Sequence, residues 1–329
     1  MGVPAISVAM SVYNNAPFLA EAVESILGQT VGDFEFLIVD DGSTDDSRPI
    51  LEAYAARDER IRLLPQANRG LIASLNRLVA ECRAPLIARM DGDDIALPER
   101  FARQLEFLRA HPDHGAVGTW TINIDARGRE QPRESEDHPT SHEELLARLE
   151  SGPVLCHPSV MMRTEVVRAA GGYRPLFRHC EDYDLWLRLS ERTRMCSLPE
   201  RLLRYRFSDA QVSSRHVVAQ HVGAAIAFLS HEERIAGRPD PLEEAAALPA
   251  LDELDRLFGR PGLGREVRAK VAPGIVYSPS ALSGEGFRLL LDYVREGGAR
   301  DGLWRTAGRL LKIGRPGRAL RLAAALALR

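Results

Sequence analysis

Residues 85–94 read PLIARMDGDD, a short and largely apolar run that ends in three aspartates. Such a run is typical of a buried strand, so the aspartates would lie at the carboxyl end of that strand. An earlier stretch, residues 34–41, has the same form and reads FEFLIVDD. In open α/β sheets, ligands bind beyond the carboxyl ends of the strands. We therefore expect both acidic groups to face one cleft.

Strand-like and helix-like segments alternate through the first 124 residues. Apolar runs predict strands at 5–12, 34–39, 61–64, 85–90 and 115–124. Helical spacing of apolar residues, with capping residues at the starts, predicts helices at 17–27, 71–80 and 98–108 and another that follows the turn 41–45 and ends near 57. This alternation predicts an α/β fold with a central, mostly parallel sheet that is flanked by helices on both faces.

The pattern changes after residue 124. Residues 125–140 are polar and predict a loop, and short elements follow at 143–150, 159–162, 182–191 and 198–207. From about residue 217 the chain is rich in Ala, Leu and Arg, with interruptions by Pro and Gly. This last part predicts a helical extension rather than a second α/β unit.

Composition narrows the class of protein. The chain has 329 residues and a formal net charge of −3, which argues against a nucleic-acid partner. Its four cysteines form no C-x-x-C pair, so we expect reduced thiols in a cytoplasmic protein rather than a zinc site or a disulfide framework. The sequence shows neither a signal peptide nor an apolar run long enough to span a membrane.

The acidic clusters indicate divalent-metal chemistry. Crowded carboxylates such as Asp91-Gly92-Asp93-Asp94 are unfavourable unless a cation or a proton offsets them. Carboxylate oxygens select Mg²⁺ or Mn²⁺, and substrate phosphates usually complete the metal shell. Two other acidic groups leave alternatives open. Asp40-Asp41 is equally compatible with turn capping, and Glu181-Asp182 with the favourable dipole at a helix start.

Several segments, in the right order, resemble glycosyltransferase family 2, whose members share the nucleotide-sugar-binding GT-A fold. The resemblance covers roughly residues 5–207. The segments that carry it are 7–14 (SVAMSVYN), 39–45 (VDDGSTD), 68–71 (NRGL) with Asn76, 88–94 (ARMDGDD), 98–100 (PER), 157–159 (HPS), 171–174 (GGYR) and 181–186 (EDYDLW). The resemblance implies an inverting, metal-dependent glycosyltransferase that uses a nucleotide-diphosphate sugar, most commonly a UDP-sugar.

The resemblance also implies roles for individual residues. Asp182 would be the catalytic base, and Asp93 with Asp91 would bind Mn²⁺ or Mg²⁺. The donor nucleotide would contact Val12, Tyr13, Asp40, Asp41, Asn68, Arg69, Gly70, Asn76, Asp91 and Gly92. Candidate contacts to the acceptor or the sugar are Asp94, Trp120, His157 and Glu181. The chain departs from the family at Phe207-Ser208-Asp209, where relatives often carry a histidine.

These roles predict a domain organisation. Residues 1–214 would form the catalytic domain, with a nucleotide-sugar-binding part (1–124) and an acceptor-binding part (125–214), and residues 215–329 the helical extension. The acceptor would be a glycan or a lipid-linked sugar in cell-surface polysaccharide synthesis. The basic, amphipathic segment 303–313 suits a peripheral contact with the inner face of the cell membrane. Docking on its own domain or on a second subunit suits it equally.

Other classes fit less well. A dinucleotide-binding enzyme would need Gly-x-Gly after the first strand, and a P-loop enzyme would need Gly-x-x-x-x-Gly-Lys; the chain has neither. A nucleotidyltransferase that acts on sugar phosphates also uses paired aspartates and a metal, and it remains the alternative enzyme. A non-catalytic nucleotide-binding scaffold is the alternative outside enzymes, although Asp93 and Asp182 are both present.

Overall fold

A computed structural model describes residues 2–131, 137–207 and 216–327. The chain divides into two compact units. Unit 1 comprises Met1–Pro175 and Glu181–Ser208, and unit 2 comprises Leu176–Cys180 and Asp209–Arg329. The predicted domain boundary between residues 214 and 215 lies outside the described residues and stays a prediction, and so does any role of Ser208.

Unit 1 is built on one eight-stranded sheet with the order β3-β2-β1-β4-β7-β6-β8-β5. The strands are β1 (Ile6–Val12), β2 (Phe34–Asp40), β3 (Ile61–Pro65), β4 (Leu86–Asp91), β5 (Ile95–Ala96), β6 (His114–Ile124), β7 (Met161–Arg163) and β8 (Arg194–Arg206). The first four strands are parallel to one another, as predicted. The remainder is mixed, because β7 runs antiparallel between β4 and β6, and β5 runs antiparallel to β8. Strands β6 and β8 are parallel to each other.

Helices connect the strands of unit 1. They are α1 (Ala16–Leu27), α2 (Ser47–Ala55), α3 (Leu71–Glu81), α4 (Arg100–Ala110), α5 (His142–Arg148), α6 (Thr164–Ala169) and α7 (Glu181–Ser190). Short 3₁₀ turns lie at Leu149–Ser151 and His157–Ser159. The central strands β1 and β2 are buried along almost their whole length, which explains why their sequences read as continuous apolar runs rather than as alternating ones.

Helix α4 supports strand β4 and nearby segments through hydrogen bonds from two buried side chains, Arg100 and Gln104. The Arg100 guanidinium is fully buried and donates through Nη2 to the carbonyl oxygen of Arg89, at 2.8 Å. Its Nε donates to Gln104 Oε1 at 3.2 Å. The Gln104 amide in turn donates to the carbonyl oxygens of Val117 and Ser159, both at 2.8 Å. The PER segment and its helix therefore hold the strand that ends in the aspartates.

Unit 2 consists of helices among its described residues, as the sequence predicts for this part. They are α8 (Val217–Ile235), α9 (Leu254–Phe258), α10 (Leu263–Ile275), α11 (Pro279–Ser283), α12 (Gly286–Arg295), α13 (Leu303–Lys312) and α14 (Pro316–Ala327). Two further 3₁₀ turns lie at Pro175–Phe177 and Leu251–Glu253. Within the ranges that the structure covers, no helix has both the length and the apolar character needed to cross a bilayer.

Candidate active site

The end of β2 carries a buried carboxylate that serves the backbone. Asp40 Oδ1 accepts a hydrogen bond from the Ser43 amide at 3.0 Å, and Oδ2 forms an ion pair with Arg48 at 2.6 Å. Asp40 is completely buried. Its carboxylate therefore caps the turn after β2, and the nucleotide contact that the sequence predicts for Asp40 stays a prediction.

The neighbouring Asp41 organises a loop. Its carboxylate accepts hydrogen bonds from Gln66 Nε2 at 2.7 Å and from the amides of Arg69 and Gly70 at 2.8 Å each. Gly42 has a φ of +74°, and a Cβ atom there would lie 2.7 Å from the amide nitrogen of Asn68. Only glycine fits such a close approach. Asp41 and Gly42 thus fix the loop 66–70 against the end of β2.

Three predicted donor contacts are exposed near this loop. Tyr13 follows β1 and is 50% exposed, and Asn68 and Arg69 lie on the surface of the loop. The ends of β1 and β2 are joined by a hydrogen bond from the Asp41 amide to the Val12 carbonyl oxygen, at 2.8 Å. Tyr13 and the surface of the loop that Asp41 holds are therefore both exposed at the carboxyl ends of β1 and β2.

Two other residues that the sequence predicts as donor contacts have side chains engaged within the protein. The Val12 side chain is completely buried in the hydrophobic core. The Asn76 amide donates to the Tyr173 carbonyl oxygen at 2.7 Å and accepts from the Tyr173 amide at 2.8 Å. Because these bonds involve both the amino and the carbonyl group of its side chain, Asn76 links α3 to Tyr173; the nucleotide contacts of Val12 and Asn76 stay predictions.

The three aspartates after β4 converge. Oxygen atoms of Asp91, Asp93 and Asp94 all lie within 4.8 Å of one another. Asp94 Oδ1 accepts from the Arg206 amide at 2.8 Å, whereas its buried Oδ2 has no hydrogen-bond partner among the described residues. Burial, followed by the charge of Asp91, raises the pKa of Asp93 to about 6 and that of Asp94 well above its usual range. A bound divalent cation would offset the crowded negative charges that help to raise these pKa values.

A buried arginine beside this cluster was not among the site residues that the sequence singled out. Arg89 is 3% exposed, and its Nη1 forms an ion pair with Asp91 Oδ2 at 2.5 Å. Its Nε makes no hydrogen bond within the part of the chain that the structure describes. Its positive charge also acts on Asp94 and Asp182. The signal was visible in the sequence as a single charge inside an otherwise apolar strand.

Asp182 lies in the first turn of α7, close to the same charges. Its Oδ1 accepts from the Tyr183 amide at 2.8 Å, and its side chain is partly exposed. Burial raises the pKa of Asp182, while the Tyr183 hydrogen bond and the charge of Arg89 oppose that rise. Asp91 also raises it, so the predicted base and the acidic cluster interact electrostatically.

The next acidic residue of α7 has a different role. Asp184 is fully buried and is paired with Arg174 and Arg188, the latter at 2.7 Å. The Arg188 guanidinium also donates to the Gly172 carbonyl oxygen at 2.8 Å. Asp184 therefore fastens α7 to the segment before it. Of these two aspartates, Asp184 is the one engaged in buried ion pairs.

Most of the predicted acceptor contacts are engaged within the protein. His157 is buried, its Nε2 lies 2.8 Å from the Tyr173 hydroxyl, and burial followed by the charge of Arg89 lowers its pKa well below the usual range. Trp120 Nε1 donates to the His138 carbonyl oxygen at 2.9 Å, and Arg201 lies over its ring at 5.4 Å. Glu181 is buried beside Asp182. The geometry favours neither His157 as a base nor Trp120 as an open stacking surface.

This arrangement defines a class of protein. A parallel half-sheet with an acidic cluster at its carboxyl edge, continued by mixed strands, is the fold of the GT-A glycosyltransferases. Two solved structures share it across almost the whole chain, at 16% identity each. S. aureus TarS 1–349 in complex with UDP-GlcNAc has a TM-score of 0.53 and is matched over 98% of this chain and 87% of that chain. The mannosyltransferase PcManGT from Pyrobaculum calidifontis, in complex with GDP-Man and Mn²⁺, has a TM-score of 0.54. The match covers 100% of this chain and 88% of PcManGT.

Sequence comparison gives the family. The model of glycosyl transferase family 2 matches residues 7–171. The amylovoran biosynthesis glycosyltransferase AmsE of Erwinia amylovora is 33% identical over 220 residues, which cover 64% of this chain and 79% of AmsE. The chain therefore belongs to glycosyltransferase family 2 and is a glycosyltransferase. The resemblance inferred from the sequence motifs is confirmed, and the nucleotidyltransferase and scaffold alternatives fall away.

Proposed function

We propose that this enzyme transfers a sugar, with inversion and with the help of a divalent metal, from a nucleotide-diphosphate donor to an acceptor hydroxyl. The observation that carries the proposal is the convergence of three carboxylates within 4.8 Å, next to a fourth at Asp182 with a raised pKa. We propose a UDP-sugar as donor. TarS in complex with UDP-GlcNAc supports that choice, whereas PcManGT in complex with GDP-Man supports a guanosine nucleotide.

The donor nucleotide would lie along the carboxyl edge of the parallel strands. Tyr13 and the loop at Asn68 and Arg69 are exposed at the ends of β1 and β2 and would contact the base and ribose. Asp91 and Gly92 begin the next turn along this edge, at the end of β4. The diphosphate would follow from the base toward the acidic cluster, in line with the general location of ligands in α/β sheets.

The residues of the cluster fit a hard cation. Asp93 and Asp91 would hold Mn²⁺ or Mg²⁺ through carboxylate oxygens, and the orphaned Asp94 Oδ2 gives a third oxygen that no described donor satisfies. When bound, such an ion would neutralise the charge that develops on the departing nucleoside diphosphate. The Mn²⁺ in the PcManGT complex supports manganese.

Asp182 would act as the general base. The acceptor oxygen attacks the anomeric carbon, the bond from that carbon to the β-phosphate oxygen breaks, and the proton of the acceptor hydroxyl passes to Asp182. The electron pair of the broken bond leaves with the nucleoside diphosphate. A raised pKa suits this role, because a base works best when its pKa approaches the operating pH.

Arg89 would position the Asp182 carboxylate and offset its negative charge. Because its charge lowers the pKa of Asp182, we expect Arg89→Met to raise that pKa further and to move the acidic limb of the kcat–pH profile upward. Arg89→Lys retains the charge and should restore the limb toward its wild-type position. The measurement is kcat against pH for the three proteins. An unchanged limb in Arg89→Met would contradict the electrostatic role, whatever the loss of rate.

Titration calorimetry tests the donor site directly. We expect one of UDP, GDP or dTDP to bind the full chain, with an affinity that rises at least about tenfold when Mn²⁺ is added, because Asp91 and Asp93 would hold the ion and its charge would attract the diphosphate. Asp33→Asn, an exposed change at the amino end of β2, serves as the control and should bind like wild type. Failure of all three nucleotides to bind, with and without Mn²⁺, would contradict the proposed function.

We also propose a setting for the reaction. The acceptor would be a glycan or a lipid-linked sugar in the synthesis of a cell-envelope polysaccharide, which the name of AmsE supports. The enzyme would work in the cytoplasm, at the inner face of the cell membrane when its acceptor is lipid-linked. A homo-oligomer formed through the C-terminal helices is the alternative use of that surface.

A further inference from the structure

The last two helices of unit 2 have an unusual charge composition. Seven of the residues from 302 to 329 are Arg or Lys, and none is Asp or Glu. Helices α13 and α14 pack through small and aliphatic side chains, with Leu303, Ala307, Leu310, Leu322 and Leu326 buried. One face of each helix therefore belongs to the core of unit 2, and the other faces outward.

Two of the arginines fasten this helix pair to the rest of the unit. Arg309 donates to the Val276 carbonyl oxygen at 3.2 Å and lies over the Tyr277 ring. Arg318 donates to the carbonyl oxygens of Leu282 and Gly284, at 2.7 and 3.0 Å. These contacts confirm that the segment docks on its own unit, but they use only part of its positive charge.

The remaining charges border exposed apolar side chains. Trp304 is 57% exposed and Leu311 57%, one above the other at helical i, i+7 spacing, and Leu320 on α14 is 71% exposed. Arg305 and Lys312 flank the Trp304–Leu311 row, and Arg321 follows Leu320; all three are exposed. We name Trp304, Arg305, Leu311, Lys312, Leu320 and Arg321 the outward face.

We propose that the outward face docks on the surface of an anionic lipid membrane. Exposed Trp and Leu bordered by Arg and Lys is the composition of helices that lie at the bilayer interface, with the apolar side chains in the acyl boundary and the cations at the headgroups. This proposal rests on the proposed function in one respect: the membrane contact would bring the enzyme to a lipid-linked acceptor. The lipid contact itself is independent of the donor site.

Charge complementarity decides between lipid and a second copy of the chain. In a two-fold contact the same surface meets itself, so the basic side chains of one outward face would approach those of the other. No acidic residue between 302 and 329 is present to offset that repulsion. An anionic membrane supplies the opposite charge over the whole face.

Vesicle co-sedimentation of the full chain tests the proposal. We expect binding to vesicles of phosphatidylcholine with phosphatidylglycerol, and at least about tenfold weaker binding to phosphatidylcholine alone, since each Arg or Lys near an anionic surface is worth on the order of fivefold in affinity. Two variants remove the contact without touching the helix core. The triple change Arg305→Gln/Lys312→Gln/Arg321→Gln and the double change Trp304→Ser/Leu311→Ser should each weaken binding to the anionic vesicles at least about tenfold.

A matched control carries the same loss of charge elsewhere. Arg57→Gln/Arg127→Gln/Arg192→Gln removes three exposed arginines from unit 1 and should bind vesicles like wild type. Nucleotide calorimetry on every variant separates the two proposals, because loss of vesicle binding with retained nucleotide binding concerns the outward face alone. The proposal is overturned if the wild-type protein does not bind anionic vesicles, or if the outward-face variants bind them as tightly as wild type does. Light scattering that shows a dimer for wild type and a monomer for the variants would assign the face to a second copy instead.

Discussion

Replacing Asp182 by asparagine should lower kcat by about 10²–10⁴-fold, the range that general-base catalysis contributes, while leaving nucleotide binding intact. Asparagine keeps the shape of the side chain and can still accept from the Tyr183 amide, as the Asp182 Oδ1 atom does at 2.8 Å. It cannot take up the acceptor proton. The KM for the donor should therefore change little, and the loss should appear in kcat, measured with whichever donor the calorimetry identifies.

Asp184→Asn provides the contrasting variant for this prediction. It makes the same chemical change two residues along α7, but Asp184 is buried between Arg174 and Arg188. Removing its charge leaves two guanidinium groups without their carboxylate, so we expect a lower melting temperature. Asp182→Asn should melt at or slightly above the wild-type temperature, because the raised pKa of Asp182 makes its charge unfavourable in the folded chain. A kcat close to wild type in well-folded Asp182→Asn would remove Asp182 as the base.

Asp93→Asn should abolish the metal-dependent part of nucleotide binding and, at the same time, stabilise the metal-free protein. The first effect follows because one of the carboxylates proposed to hold the ion is lost. The second follows because burial and the charge of Asp91 raise the pKa of Asp93 to about 6. An ionised Asp93 at neutral pH is therefore unfavourable in the folded chain, on the order of 1–3 kcal/mol.

The sign of the pH dependence follows from the same shift. The folded chain binds the Asp93 proton more tightly than the unfolded chain, so the stabilisation from this proton is complete below about pH 4 and is lost as the pH rises through about 6. Thermal unfolding in EDTA should give Asp93→Asn a melting temperature a few degrees above wild type at pH 8, and a smaller difference at pH 5.

The metal reverses this order of stability. Adding Mn²⁺ with the bound nucleotide should raise the melting temperature of wild type, because a ligand that binds only the folded chain stabilises it. The Asp93→Asn protein should gain little. The surface variant Asp33→Asn should follow wild type throughout. If Asp93→Asn binds nucleotide with the same Mn²⁺ dependence as wild type, Asp93 is not a metal ligand.

The sequence predicted the strands that define the site better than the contacts within it. Apolar runs that end in aspartate located β2 and β4, and the parallel order of the first four strands followed from the alternation with helices. The insertion of β7 between β4 and β6 and the edge position of β5 beside β8 could not be predicted, because both strands are very short and their neighbours are distant in sequence. Pairing of that kind depends on tertiary packing rather than on local pattern.

Side-chain roles were hardest to predict where polar residues satisfy backbone groups. Asp40, Asp41 and Asn76 all belong to motif segments, and all three side chains bond to the protein itself, which their sequence context did not reveal. The burial of His157 against Tyr173 was equally hidden. Arg89 was visible as an anomaly, because an unpaired charge in a buried strand is costly, but its partner could be named only once the strand ends were in place.

The order of the strands has a consequence for how this family can be re-engineered. Strand β7 lies between β4 and β6, and the amide that holds Asp94 belongs to Arg206, at the end of β8. A chimera that joins the first 124 residues of this chain to the remainder of a relative would therefore cut across one continuous sheet. New acceptor preferences are better sought by grafting loops onto the intact sheet, because the two halves are not modules that recombination can exchange.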